Sequence, residues 1–388
     1  MTRTLRISNI APTTTADALA SYFRDKGLQL STGNGKHGIY LVKAEDDNIH
    51  ATVSFYSDLV CKRALALSYE DRKLDNRLLV LSSNFDGFTV LSEGSQVDII
   101  ALHGLNGHAF DSWEFYNRKG YNFMWLRDYL PERFPSARVM VYGYTANAIS
   151  ELGTEQIRSQ AAERPLLLVG HSMGGLVIKQ ALIIAKDNNR YQTILNSVHG
   201  VLSLGTPHQG GKGVDNARFV ANFLRPFNRN VRMDLIKGLR PDSMILFDLT
   251  NEFRKLVEAR RIKIATLIES KSTRIGFFRH VRVHSSFYRF LSTLSDTSVC
   301  IFQIVDEASA ALGVSVERKA SINANHINMC KFRNPSDKSL AVAVQVIKDL
   351  RGEILPMTTP TLLPHHEFNA PRVQERDPSF MLGSSGIP

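Results

Sequence analysis

The feature that most constrains this chain is the run PLLLVGHSMGGLVIKQALIIAKD at residues 165–187. An apolar stretch leads into Gly170-His171-Ser172-Met173-Gly174, and apolar residues at helical spacing follow. G-x-S-x-G is short, but a buried strand before it and a helix after it are the setting in which it makes a sharp strand-to-helix turn. Such a turn predicts Ser172 above a sheet in a strained backbone conformation, with Gly170 and Gly174 small enough to clear the neighbouring strand and helix. It also sets Ser172 at a helix N-terminus, where backbone N–H groups and the helix dipole face a developing oxyanion. The competing reading of the same residues is a serine that only caps a core helix.

A sheet for this turn is written around it. VDIIALHG, ARVMVYGY, LLLVGHS, VHGVLSLGTP and RIKIATLIE read as strands, with helices expected at 121–134, 150–163 and 173–186. That rhythm predicts a mainly parallel sheet covered on both faces, and with the serine turn it predicts the α/β-hydrolase fold. An oxyanion needs a second donor, and the strand ending in His103-Gly104-Leu105 offers one, because Gly104 permits a tight turn of the Leu105 amide. The expected donors are therefore the N–H groups of Leu105 and Met173, with His103 organising the loop by hydrogen bonding.

Residues 1–92 read as a separate small domain. RTLRISNI, GIYLVKAED, HATVSFYS and RLLVLSS are strands, and TTTADALASYFRDKG and DLVCKRALALSY are helices, in βαββαβ order. This is the ferredoxin-like α+β order, and it resembles an RNA-recognition motif. The stacking aromatics of that family do not appear: His50 and Thr52 hold the stacking positions of one strand and Arg6 replaces the aromatic of the other. Base stacking supplies about 1–3 kcal/mol per base, so a protein-contact or structural module is expected and nucleic acid is not. Residues 93–96 read as a linker.

The chain of 388 residues carries 47 Lys and Arg against 37 Asp and Glu, a formal charge of +10. That balance favours an anionic surface such as acidic lipid, or is simply a solvated basic exterior. Cys61, Cys300 and Cys330 lie far apart, which suggests neither a disulfide framework nor a zinc site. With no apolar secretory segment at the start and no run of about 18 apolar residues, an intracellular, soluble or peripheral protein is expected.

HGLNGHAFDSWEF, WLRDYLPERFPSARVMVYGY, LLLVGHSMGGLVIKQAL, LSLGTPHQG and ANHINMCKF together resemble the lipase-like α/β-hydrolases that include the serine-active-site-containing protein and its fungal relatives. GPI-inositol deacylases are more distant. The resemblance spans residues 97–352 and implies a serine esterase or lipase, often at mitochondrial or endoplasmic-reticulum membranes, that needs no metal or organic cofactor. In this fold the chain order is Ser, acid, His. His326 lies in a polar loop before the last amphipathic helix, where the family places its base; a loop histidine bonded to backbone is the alternative. Glu269, at the end of RIKIATLIE, matches the family's acid, and Asp306 is the other candidate. The implied substrate is a carboxylic ester, of the lipid acyl kind. The competing class is an inactive scaffold or protein-binding module that kept the fold, its N-terminal domain docking a partner.

Three segments stand apart. Residues 210–258 read as cap-like helices, in which Phe219, Phe223, Leu224 and Phe227 would line an acyl pocket, although packing against the main core fits the pattern equally. Residues 275–303 are aromatic and Arg-rich and interrupt the family resemblance, as an intron retained in frame or a basic membrane-binding loop would. An apolar insertion there is expected to threaten the adjoining strand and the pairing of acid with base. Residues 353–388, rich in Pro, Gly and Ser, read as a disordered tail.

Overall fold

The computed structural model describes residues 2–33, 38–43, 49–104, 107–144, 164–208, 244–275, 300–302, 305 and 307–352. At its start, β1 (Thr4–Ile10), α1 (Ala16–Asp25), β2 (Ile39–Lys43), β3 (Ile49–Ser54), α2 (Asp58–Leu65) and β4 (Val80–Ser82) follow in βαββαβ order. Thr15 and Ser57 start the helices by accepting hydrogen bonds from the Ala18 and Val60 amides. The sheet runs β2-β3-β1-β4, antiparallel throughout, which is the ferredoxin-like arrangement. Leu5, Ile7, Ala51 and Val53 point to the helix side and pack with Phe23 and Phe55. The opposite face carries Thr4, Thr52 and Ser54, and these polar residues are buried too. What covers them is Arg127, whose guanidinium donates to Ser54 Oγ at 3.1 Å and Thr52 Oγ1 at 3.4 Å.

The second sheet is built from β5 (Gly87–Ser92), β6 (Val97–Leu102), β9 (Ala137–Gly143), β10 (Leu166–His171), β11 (Val198–Leu204), β12 (Lys263–Glu269) and β15 (Arg318–Ile322). Between β6 and β9 lie a hairpin, β7 (Glu114–Tyr116) with β8 (Asn122–Met124), and the short helices α3 (Trp125–Asp128) and α4 (Leu130–Arg133). The long later helices are α5 (Met173–Asp187), α6 (Met244–Arg260) and α7 (Lys338–Arg351), and a ribbon of β13 (Thr273–Ile275) with β14 (Cys300–Phe302) follows β12. Strand order is β15-β12-β11-β10-β6-β9-β5, parallel except for β5 at one edge. With a strand-turn-helix serine after the central β10, this is the α/β-hydrolase fold.

Both faces of that sheet are covered, which is why its central strands are nearly continuous apolar runs. Along β6, Ile99 and Ala101 join a core with Val346, Ile347 and Leu350 of α7, whereas Ile100 and Leu102 join Val177 and Ile178 of α5 on the other side. Asp98 and Arg138 sit opposite one another in the β6–β9 register, their charges paired at 2.7 Å.

Three expectations change. The helix expected at 121–134 is a strand and two short helices, because the Asp128 carboxylate binds the Met124 amide and Pro131 begins a separate turn. Residues 87–92, assigned by sequence to the first domain, form the edge strand of the second sheet, with Leu91 in its core. Residues 93–96 are a packed crossover rather than a free linker: Gly94 crosses the start of β9 so closely that a Cβ would lie 2.1 Å from the Ala137 carbonyl carbon. The two sheets accordingly belong to one compact unit.

Candidate active site

Ser172 is the N-cap of α5, with φ 56° and ψ −121°, a left-handed conformation that a non-glycine residue rarely adopts. Its amide donates to the Leu204 carbonyl at 2.8 Å, so the strained residue is tied to β11. Gly174 lets α5 approach β6, since a Cβ there would lie 2.3 Å from the Leu102 carbonyl oxygen. The strand end at Gly104 is as close, with a Cβ there falling 2.9 Å from Ser172 Cβ.

His326, from the loop after β15, reaches the serine. Its Nε2 stands 2.9 Å from Ser172 Oγ and its Nδ1 2.9 Å from Glu269 Oε2, all three residues being buried. Glu269 closes β12 and uses its other oxygen to accept the Val305 amide at 3.1 Å. A carboxylate accepts only, so Nδ1–H donates to Glu269, leaving Nε2 to accept the serine hydroxyl proton. Ser172, Glu269 and His326 are thus brought into one hydrogen-bonded line. Asp306, the other acid considered, and Leu105, the expected oxyanion donor, lie outside the described residues. The Met173 amide is in the first turn of α5, where N–H groups have no intrahelical partner.

The neighbours of this line are themselves histidines. His103 donates from Nδ1 to the Gly104 carbonyl at 2.8 Å and stacks on Tyr144 at 4.4 Å, while the Tyr144 hydroxyl donates to the His103 carbonyl. Burial pushes the His103 ring down to about 4, so it is neutral. His171, the variable residue of G-x-S-x-G, stands 3.0 Å from the His326 main-chain carbonyl through Nε2. On the far side of α5, Lys179 is buried and donates to Thr250 Oγ1 at 3.0 Å, and Thr250 donates to the His208 carbonyl. Neither His171 nor Lys179 was marked by its local pattern; strand alternation and a helical period flag apolar faces, not a polar group placed among them.

The segments that stood apart divide. Of the residues expected to form a cap, 210–243, including Phe219, Phe223, Leu224 and Phe227, lie outside the described residues. The remainder belongs to α6, whose Phe253, Leu256 and Val257 pack in the main core, as an amphipathic core helix does. Of 275–303, residues 276–299 and 303 lie outside the described residues, and so does the tail from 353. The ends of the insertion meet in the β13–β14 ribbon. β12 and β15 still pair in parallel, with Glu269 opposite Ile322, so the expected mispairing of acid and base does not occur. Among the described residues, no helix is long and apolar enough to cross a membrane.

A family model described as PGAP1-like alpha/beta domain matches residues 136–270, from the start of β9 to just beyond Glu269. The chain is similar to a PGAP1-like α/β domain. Protein SERAC1 of Bos taurus is 23% identical over 355 residues, covering 79% of this chain and 49% of that protein. The Danio rerio protein of the same name is 23% identical over 360 residues, covering 80% and 50%. This chain therefore spans about half the length of those relatives. Among solved structures, a lipase-esterase related protein from Clostridium acetobutylicum ATCC 824 aligns at 12% identity with a TM-score of 0.36, over 68% of this chain and 98% of its own. The sequence matches support a lipase-like α/β-hydrolase.

Proposed function

We propose that this chain is a serine hydrolase that cleaves a carboxylic ester, of the lipid acyl kind, through an acyl-enzyme. The observation that carries the proposal is the buried line from Ser172 Oγ through the His326 ring to Glu269, with both gaps 2.9 Å. Ser172 Oγ attacks the ester carbonyl as His326 Nε2 takes its proton, and His326 then gives that proton to the leaving alcohol. Water attacks the acyl-enzyme with the same base, and the acid leaves. Glu269 fixes the imidazole tautomer and stabilises the imidazolium without taking a proton. The amides of Leu105 and Met173 hold the oxyanion; one such donor changes turnover by about 10²–10³. No step calls for a metal or organic cofactor.

The lipid acyl class draws support from the lipase-like similarity and from the +10 charge, which suits peripheral contact with an anionic membrane, mitochondrial or endoplasmic-reticulum, inside the cell. The N-terminal domain serves as an intramolecular partner, because Arg127 lies against the sheet face that RNA-recognition motifs present to bases.

Treating the full chain with a fluorophosphonate probe, beside Ser172→Ala, tests the activity. Labelling that disappears in Ser172→Ala, with turnover of p-nitrophenyl esters, is expected. A folded chain that neither labels nor hydrolyses any acyl length would instead be a scaffold.

A further inference from the structure

We propose that His171 is a positioning residue, whose Nε2–H holds the main chain of His326 so that the base stays aligned between Ser172 and Glu269. The inference rests on the serine-hydrolase reading and adds to it a residue outside the nucleophile, base and acid.

His326 is carried by a loop, not by a strand or helix, and the loop must hold its ring to a fraction of an ångström. Its fixings can be followed. Before the base, the Lys271 amide donates to the Ala324 carbonyl at 3.1 Å; after it, Trp125 Nε1 donates to the Cys330 carbonyl at 3.1 Å. Between these, His171 Nε2 lies 3.0 Å from the carbonyl of His326 itself. His171 is the last residue of β10 and Ser172 comes next, so the strand that sets the nucleophile also holds the base. Nothing flexible separates the two settings.

The chemistry of the contact fixes the state of the ring. A carbonyl oxygen only accepts, so the His171 proton is on Nε2. Burial, with the nearby His326 ring as a lesser cause, pushes His171 down to about 3, which keeps it neutral at any pH where an esterase works. Neutrality suits the role, because the ring centroids of His171 and His326 are 5.1 Å apart and a second cation there would oppose the imidazolium formed in catalysis. The ring is braced in turn: Trp113 meets it edge-on at 6.5 Å, and a Cβ at Gly104 would lie 3.3 Å from its Nδ1. A misplacement of about 1 Å at a reacting group can cost about 10²-fold in rate. A single hydrogen bond at the residue carrying the base therefore has a large lever.

The test compares the full chain with His171→Phe, which removes the donor, and His171→Gln, whose side-chain amide can reach the same carbonyl. Two quantities are read: the fluorophosphonate labelling rate of Ser172, and the low-field proton resonance of the His326 Nδ1–H in its bond to Glu269, assigned by its absence in His326→Ala. The phenylalanine variant is expected to label about 30-fold more slowly and to lose or broaden the low-field proton. The glutamine variant is expected to recover the proton and to label within about fivefold of the parent. Parent-like labelling and an unchanged proton in the phenylalanine variant would overturn the proposal, as would a folded glutamine variant as impaired as phenylalanine. Should the parent fail to label, the hydrolase reading falls, and the proton still decides whether His171 positions His326. A parent with neither labelling nor a low-field proton overturns both.

Discussion

Ser172 sits in a costly backbone conformation. Its φ of 56° and ψ of −121° suit glycine far better than any residue with a Cβ, and such a conformation costs about 1–3 kcal/mol. Alanine keeps that strain and glycine releases it, at about 0.5–1 kcal/mol of extra chain entropy. Ser172→Gly is therefore expected to be more stable than Ser172→Ala by about 1 kcal/mol in urea unfolding, although neither will label. Equal stabilities would mean that the elbow is unstrained. Gly104 offers a steric check on the same spot: a methyl there meets Ser172 Cβ at 2.9 Å and the His171 carbonyl at 3.3 Å. Gly104→Ala should slow fluorophosphonate labelling about tenfold or more, through displacement of Ser172; parent-like labelling would show that the strand end yields. At this scale Ser172 was legible because its motif has a fixed setting. His171 was not, because its partner is a backbone carbonyl 155 residues away.

Between elements, the contact of α5 with α6 shows a different economy. Lys179 lies wholly inside it, beneath the Phe253 ring at 5.8 Å, and burial lowers its pKa well below the usual lysine range. The unfolded chain holds this proton up to about 10.5. Stability therefore rises with pH across the window between the depressed folded value and 10.5, and at neutral pH the group is a cost. Lys179→Met is expected to match or exceed the parent in urea at pH 7, with the difference shrinking toward pH 10. A loss of more than about 1 kcal/mol at pH 7 would mean that the bond to Thr250 outweighs burial. Elements with one strong period, such as α5 and α7, could be read from the sequence directly. The stretch 121–134 could not, because a helical spacing of apolar residues says nothing of Asp128 folding back on the Met124 amide.

Over the whole molecule, the choice of sheet for each short strand depended on contacts far apart in sequence. Val80–Ser82 and Gly87–Ser92 are both β-rich, yet the first completes the N-terminal sheet and the second edges the large one. The missing aromatics at Arg6 and Thr52 were readable as the loss of a base-stacking platform; that the face would be buried under Arg127 was not, since the covering residue follows some 75 positions later. The same interface holds Glu114, fully buried in the β7–β8 hairpin, which accepts from Asn122 Nδ2 of that hairpin at 2.5 Å and from Thr4 Oγ1 of the N-terminal sheet at 3.4 Å. Burial pushes its pKa up from 4.5 to about 7, against the opposing pull of Arg127. Folding therefore favours the protonated acid, and between pH 4.5 and about 7 the folded chain binds the proton that the unfolded chain has released. Glu114 is neutral in its effect below this window and becomes a growing penalty through it, up to about 3 kcal/mol. Glu114→Gln removes the titration while keeping an acceptor for Asn122. Urea midpoints at pH 5 and pH 8 should thus show the variant gaining on the parent at the higher pH, in one transition that carries both sheets. If instead the variant loses most ground at pH 8, the ionised carboxylate is stabilised by Arg127 after all, and the interface is held by charge rather than by a buried neutral acid.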